Sequence, residues 1–141
     1  MKRILFSFSC LLFVFFALAQ SSKNIPCING KRLKNEASDK MVVKEPKVHF
    51  TSKSEKVYAV VNGTIRMVSN FNVVIESEGK YFIYQDVKGV PDQLNKEVKR
   101  GDEIGTMYFN EDKKLYGLFI SVMTAPKKYL SYEDIVKAIK G

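Results

Sequence analysis

The chain has 141 residues, a formal net charge of +8 and a hydrophobic content of 45%. That length holds one domain, and that composition excludes wholesale disorder. A single histidine and two cysteines exclude a Cys/His zinc finger, a c-type haem site and a disulfide framework.

The first nineteen residues differ from the rest. Lys2 and Arg3 precede an apolar run, Ile4 to Leu18, that contains Phe6, Phe8, Phe13, Phe15 and Phe16. Ala17-Leu18-Ala19 then supplies small residues ahead of polar Gln20-Ser21-Ser22-Lys23. This is the layout of a secretory signal peptide over residues 1–19. The run is shorter than the roughly 20 residues that span a bilayer, so no transmembrane span is expected after cleavage; an uncleaved anchor is the alternative. Export, periplasmic or secreted, follows. It turns the positive charge towards cell-wall polymers and anionic head groups and away from nucleic acid.

Residues 20–45 are polar and lack sustained periodicity, which predicts an extension or linker, with one short strand near Met41 to Lys44. Its thiol, Cys27, is the single cysteine left after cleavage and is expected to be incidental, in a mobile segment. Asp39-Lys40-Met41 has the form of a lipoyl-type attachment tripeptide, but no strand pattern precedes it, so no attachment is assigned.

From Val48 the pattern is β. Val57 to Val61, Asn62-Gly63 and Thr64 to Ser69 predict a hairpin, because both residues of such a turn adopt positive φ. Asn72 to Ser77 and Tyr81 to Val87 predict a second hairpin around Glu78-Gly79-Lys80. Lys88 to Leu94 reads as a loop. Glu103 to Tyr108 and Lys114 to Met123 are further strands, turned at Asn110-Glu111-Asp112. Strands recurring at such short spacing favour a small barrel or sandwich. Val57, Val60, Ile65, Val74, Ile75, Ile83, Val98, Ile104, Leu118 and Ile120 are the expected core. Ser131-Tyr132-Glu133-Asp134 fits a capping box, and Ile135, Val136, Ala138 and Ile139 form a helical stripe that ends at Gly141.

Taken in order, these pieces resemble the LytM/lysostaphin-type zinc peptidases. Val57-Tyr58-Ala59-Val60-Val61-Asn62-Gly63-Thr64-Ile65 is similar to that family's V-Y-A-A-x-D-G-T-V. Asn72-Val73-Val74-Ile75 is similar to its V-x-I strand, and Phe82 to Val87 to x-x-Y-x-H-L. Val98-Lys99-Arg100-Gly101-Asp102-Glu103-Ile104-Gly105 resembles V-K-K-G-Q-x-I-G. Gly117 to Val122 falls at H-L-H-F-E-V, and Ala125 to Leu130 resembles D-P-x-x-Y-L. The resemblance runs from about residue 45 to residue 130. It implies a mainly β domain over residues 46–141, a small antiparallel barrel-sandwich built on the duplicated hybrid motif, with the C-terminal helix appended. It also implies a peptidoglycan-directed setting.

The family's zinc is held by H-x-x-x-D and the second histidine of H-x-H, with further histidines assisting the attack of water. By resemblance, H-x-x-x-D falls on Glu45-Pro46-Lys47-Val48-His49, giving Glu45 and His49. The histidine of Y-x-H-L falls on Asp86, and those of H-x-H fall on Gly117 and Phe119. A hydrolytic zinc needs about three protein ligands and an open position for water, and neither Gly nor Phe supplies a donor. No catalytic residue and no cofactor is therefore assigned. The resemblance implies an exported, non-catalytic homologue that binds peptidoglycan peptides or a cell-wall-associated protein such as a hydrolase. Two alternatives stand beside it. One is a divergent zinc endopeptidase using Glu45, His49 and Asp86; the other is a small structural β module with no groove beside Asp86 and Phe119. Oligomeric state is left open.

Overall fold

The computed structural model describes residues 24–33 and 45–141. The leader over residues 1–19, the Asp39-Lys40-Met41 tripeptide and the strand expected near Met41 to Lys44 lie outside the described residues. Among those described, no helix is long and apolar enough to cross a membrane.

Among the described residues eleven strands form one antiparallel sheet that is not closed. In chain order they are β1 (Lys31–Leu33), β2 (Val48–Ser52), β3 (Lys56–Tyr58), β4 (Gly63–Val68), β5 (Asn72–Ser77), β6 (Lys80–Gln85), β7 (Val87–Gly89), β8 (Glu97–Val98), β9 (Glu103–Asn110), β10 (Leu115–Ala125) and β11 (Lys128–Tyr129). A helix, α1 (Tyr132–Lys140), follows. The main path runs β1-β2-β10-β6-β5-β4-β8, while β9 joins the start of β10 and carries β3 and β7 as a second layer. The long strand β10 thus belongs to both layers. The mainly β architecture with a C-terminal helix is as expected.

Alternation decides what is buried. Val73 and Ile75 on β5, Phe82 and Tyr84 on β6, and Leu118 and Ile120 on β10 face the core, which Val57, Ile65, Ile104 and Ile135 complete. Eight of the ten expected core residues are buried. Val74 and Ile83 are the exceptions: they are half-buried and lie opposite one another in register on the other face. In Val73-Val74-Ile75 both faces carry apolar residues, so the pattern alone does not choose between them.

Tyr84 is fully buried, and its hydroxyl accepts a hydrogen bond from the Val60 amide at 2.9 Å. Arg100 fastens the same region. Its Nη1 donates to the Val60 carbonyl and, at 2.7 Å, to the Ile139 carbonyl, so one guanidinium ties the β3–β4 connection to the end of α1. The capping residue is confirmed at the other end of the helix, where Ser131 Oγ accepts from the Asp134 amide at 3.2 Å.

The hairpin at Glu78-Gly79 forms as expected, with φ of 50° and 75° at the two residues. The hairpin at Asn62-Gly63 does not. β3 pairs with β9, and β4 pairs with β5 and β8, so the two strands flanking Asn62-Gly63 are not partners. Gly63 is required for close approach: a Cβ there would lie 2.2 Å from the Glu76 carbonyl oxygen. Asn62 is used by its side chain, whose Oδ1 accepts from the Arg100 amide at 2.8 Å. Part of the loop expected at Lys88 to Leu94 is ordered as β7 and a short 3-10 turn, Pro91–Gln93.

Cys27 is also corrected. It is fully buried rather than held in a mobile extension, and burial pushes its thiol up to about 12 against a hydrogen bond with Ser52. The segment around it is tied to the domain: Tyr58 N–H donates to the Pro26 carbonyl at 2.7 Å, Ser52 Oγ donates to the Ile28 carbonyl at 2.6 Å, and β1 pairs with β2.

The two glycines separate these two backbone demands. Gly63→Ala forces a backbone shift and is expected to cost about 3 kcal/mol. Gly79→Ala meets nothing within 4 Å and carries only the left-handed penalty, about 1 kcal/mol. Urea denaturation of both variants checks this; equal losses would contradict the close-approach account.

Candidate functional site

Strand β10 sets the site. Phe119 lies opposite His49 on β2 and opposite Gln85 on β6, while Gly117 lies opposite Thr51. With Leu118 and Ile120 turned into the core, Gly117 and Phe119 face the other way. The His49 imidazole stacks on Phe119, ring centroids 4.3 Å apart and planes 15° from parallel. Gly117 leaves room for that imidazole, since a Cβ there would sit 3.1 Å from His49 Nε2.

Glu45 is held by other groups. Its Oε1 accepts from Gln85 Nε2 at 2.9 Å and from Ser121 Oγ at 3.4 Å, and Gln85 Oε1 in turn accepts from Lys47 Nζ at 2.7 Å. Its carboxylate is thus part of a polar chain across β6 and β10. Asp86 is exposed, in the left-handed region with φ of 62°.

Four of the five positions singled out by resemblance, His49, Asp86, Gly117 and Phe119, line one cleft of about 430 Å³. Glu45 is not among its lining residues. Phe71, Tyr108, Phe109 and Tyr116 also line it, with Lys113, Asn110 and Thr51 supplying polar groups. This aromatic wall is missed by sequence reasoning. A larger opening of about 920 Å³ lies beside Asn62, Glu97 and Arg100 and contains none of the five positions.

Burial holds the His49 pKa below its ordinary value; the Lys113 ammonium pushes the same way, and the Asp86 carboxylate opposes both. The neutral imidazole is therefore favoured. As for metal, Gly117 and Phe119 offer no donor, and Glu45 is engaged by Gln85 and Ser121. Among the described residues no group of three or more His, Cys, Asp or Glu is placed to hold a metal ion, and Glu45, His49 and Asp86 do not assemble into one. The donor set falls short of the three ligands a hydrolytic zinc requires.

No family model and no curated protein matches the chain. Solved structures do. The NMR solution structure of lysostaphin matches at TM-score 0.59 and 15% identity, over 79% of this chain and 51% of that one. The catalytic domain of the prophage-encoded protein EnpA from Enterococcus faecalis, in a mutant form, matches at TM-score 0.56 and 9% identity, over 74% of this chain and 89% of that one. The fold is thus of the LytM/lysostaphin type. The chain spans about half the length of the lysostaphin structure it matches.

His49 is the sole histidine, so its imidazole resonance is unambiguous. Its NMR titration is expected to have a midpoint below the ordinary value of about 6.5. Because the folded-state pKa is lowered, the unfolded chain takes up the proton first as pH falls. This group's contribution to stability is therefore complete above about pH 6.5 and is lost as pH falls through the folded-state value. Phe119→Ala, which opens the ring to water, is expected to move the midpoint up; an unchanged midpoint would contradict the stacked, desolvated imidazole.

Proposed function

We propose that this chain is an exported cell-envelope domain that binds peptidoglycan through the His49–Phe119 cleft and does not cut it. The carrying observation is the stack itself. Where the resemblance sets two metal ligands and a proton-handling histidine, an imidazole lies against a phenyl ring over a glycine. A hydrolytic site needs an open coordination position and a polarised water there. This arrangement supplies a half-buried aromatic floor instead.

Removal of residues 1–19 would release a positively charged β domain into the compartment where wall polymers lie. In this reading Glu45 is a structural acceptor, and no zinc is held. A purely structural module is less well supported, because a groove does lie beside Asp86 and Phe119. The alternative occupant is a wall-associated protein, such as a hydrolase. Fold alone does not set function, so the reading rests on these side chains.

The test is co-sedimentation of the purified protein with peptidoglycan sacculi at low and physiological salt. Charge attraction at physiological salt is screened over about 8 Å, so adhesion by net charge alone fades there. Retention at physiological salt, with no muropeptide fragments released, is the expected result. Retention confined to low salt would remove the wall as the direct ligand, and fragment release would contradict the non-cutting reading.

A further inference from the structure

The cleft carries more apolar surface than its floor requires. Phe71 is 61% exposed, and Tyr108 and Phe109 are each 44% exposed. Isolated exposed aromatics are ordinary, but Phe71 and Tyr108 meet on the cleft side beside Gly117, whereas Phe109 alternates to the face of Tyr116. Phe71 and Tyr108 stack with centroids 5.9 Å apart and planes 26° from parallel, and Phe109 meets Tyr116 edge-on at 5.1 Å. The Tyr108 hydroxyl donates to the Asn70 carbonyl, which fixes that ring on the β4–β5 turn. The wall is therefore preorganised, which lowers the ordering cost of binding.

The polar groups select among occupants. Asp86 and Lys113 put one carboxylate and one ammonium in the same cleft. An apolar protein face laid over them would strip both of water without offering partners, and that is costly. A polyanion would meet Asp86, and a polycation would meet Lys113. A neutral ring with apolar C–H faces and polar edges avoids all three conflicts. Its C–H groups can rest on the electron-rich faces of the aromatic rings. Its hydroxyl and amide groups can bond Asp86, Lys113 and Thr51. At about 430 Å³ the cleft falls within the usual range of small-ligand sites, about 300–1,000 Å³.

We infer that the wall formed by Phe71 and Tyr108 is a sugar-ring subsite that takes a neutral N-acetylated hexosamine of a glycan strand. The inference rests on the cleft-binding reading above and names the part of the ligand that this wall recognises.

The experiment is an NMR titration of the purified protein with the tetramer of N-acetylglucosamine, run beside a glycan-free wall peptide. The expected result is a response of the Phe71 and Tyr108 ring resonances to the tetramer, the same at low and physiological salt because stacking on a neutral ring is not screened. Phe71→Ala and Tyr108→Ala are each expected to weaken binding about tenfold. Phe71→Tyr, which keeps the ring, should retain it. Both side chains are exposed, so unchanged thermal unfolding is the folding control. No ring response, a response lost with salt, or binding insensitive to both alanine variants would overturn the subsite. Binding of the peptide without the sugar would overturn it too, while leaving the proposed function standing. Failure of sugar, peptide and sacculi together would remove both.

Discussion

The site depends on one pairing constraint: β10 lies between β2 and β6 in a register that sets Phe119 opposite both His49 and Gln85. A strand has a period of two, so this register sends Leu118 and Ile120 into the core and leaves Gly117 and Phe119 on the cleft side. A slip of one residue would exchange the two sets and lose the core as well. The same strand continues from the β9 layer into the main sheet, and so Tyr108 of β9 stands on the same face as the imidazole of β2. The chemistry of the cleft is thereby coupled to the stability of the sheet.

Within that frame the candidate metal donors lie apart from one another. A metal site concentrates donors and keeps a coordination position open. Here the donors are dispersed: Glu45 is drawn into the Lys47–Gln85–Ser121 chain, Asp86 sits at an exposed turn, and His49 lies flat on Phe119. Burial and Lys113 both disfavour a charged imidazole, which suits a ring used as surface. The lysostaphin-type fold supplies a groove beside the sheet, and in this chain the groove is lined by π faces with a balanced pair of charges.

Much of the architecture was legible in the chain itself, and the exceptions have separate causes. Glu78-Gly79 and Ser131 were readable because their roles are local: a positive-φ turn and a helix cap depend on a few neighbouring residues. Asn62-Gly63 misled because the same dipeptide also suits a close backbone approach, and the Glu76 carbonyl that demands it lies on β5. Val74 and Ile83 misled because their apolar neighbours leave the strand face undecided. The polar composition around Cys27 points to a mobile segment, whereas Pro26 and Ile28 accept hydrogen bonds from Tyr58 and Ser52. At the site, His49, Asp86, Gly117 and Phe119 were located by resemblance, and the fold brings these four to one cleft. Glu45 came from the same alignment but lies off that cleft. The aromatic wall was not legible, because Phe71, Tyr108 and Phe109, and Tyr116 come from three separate segments that only the tertiary fold assembles.

The central proposal is that the His49–Phe119 stack occupies the positions that resemblance gives to a metal centre. Its most direct test is zinc stoichiometry, measured by elemental analysis on protein purified without chelator and by calorimetric titration with added zinc. The account predicts no stoichiometric zinc and the same weak, non-saturating heat for the parent protein and for His49→Ala. One zinc bound per chain and lost in His49→Ala would contradict it.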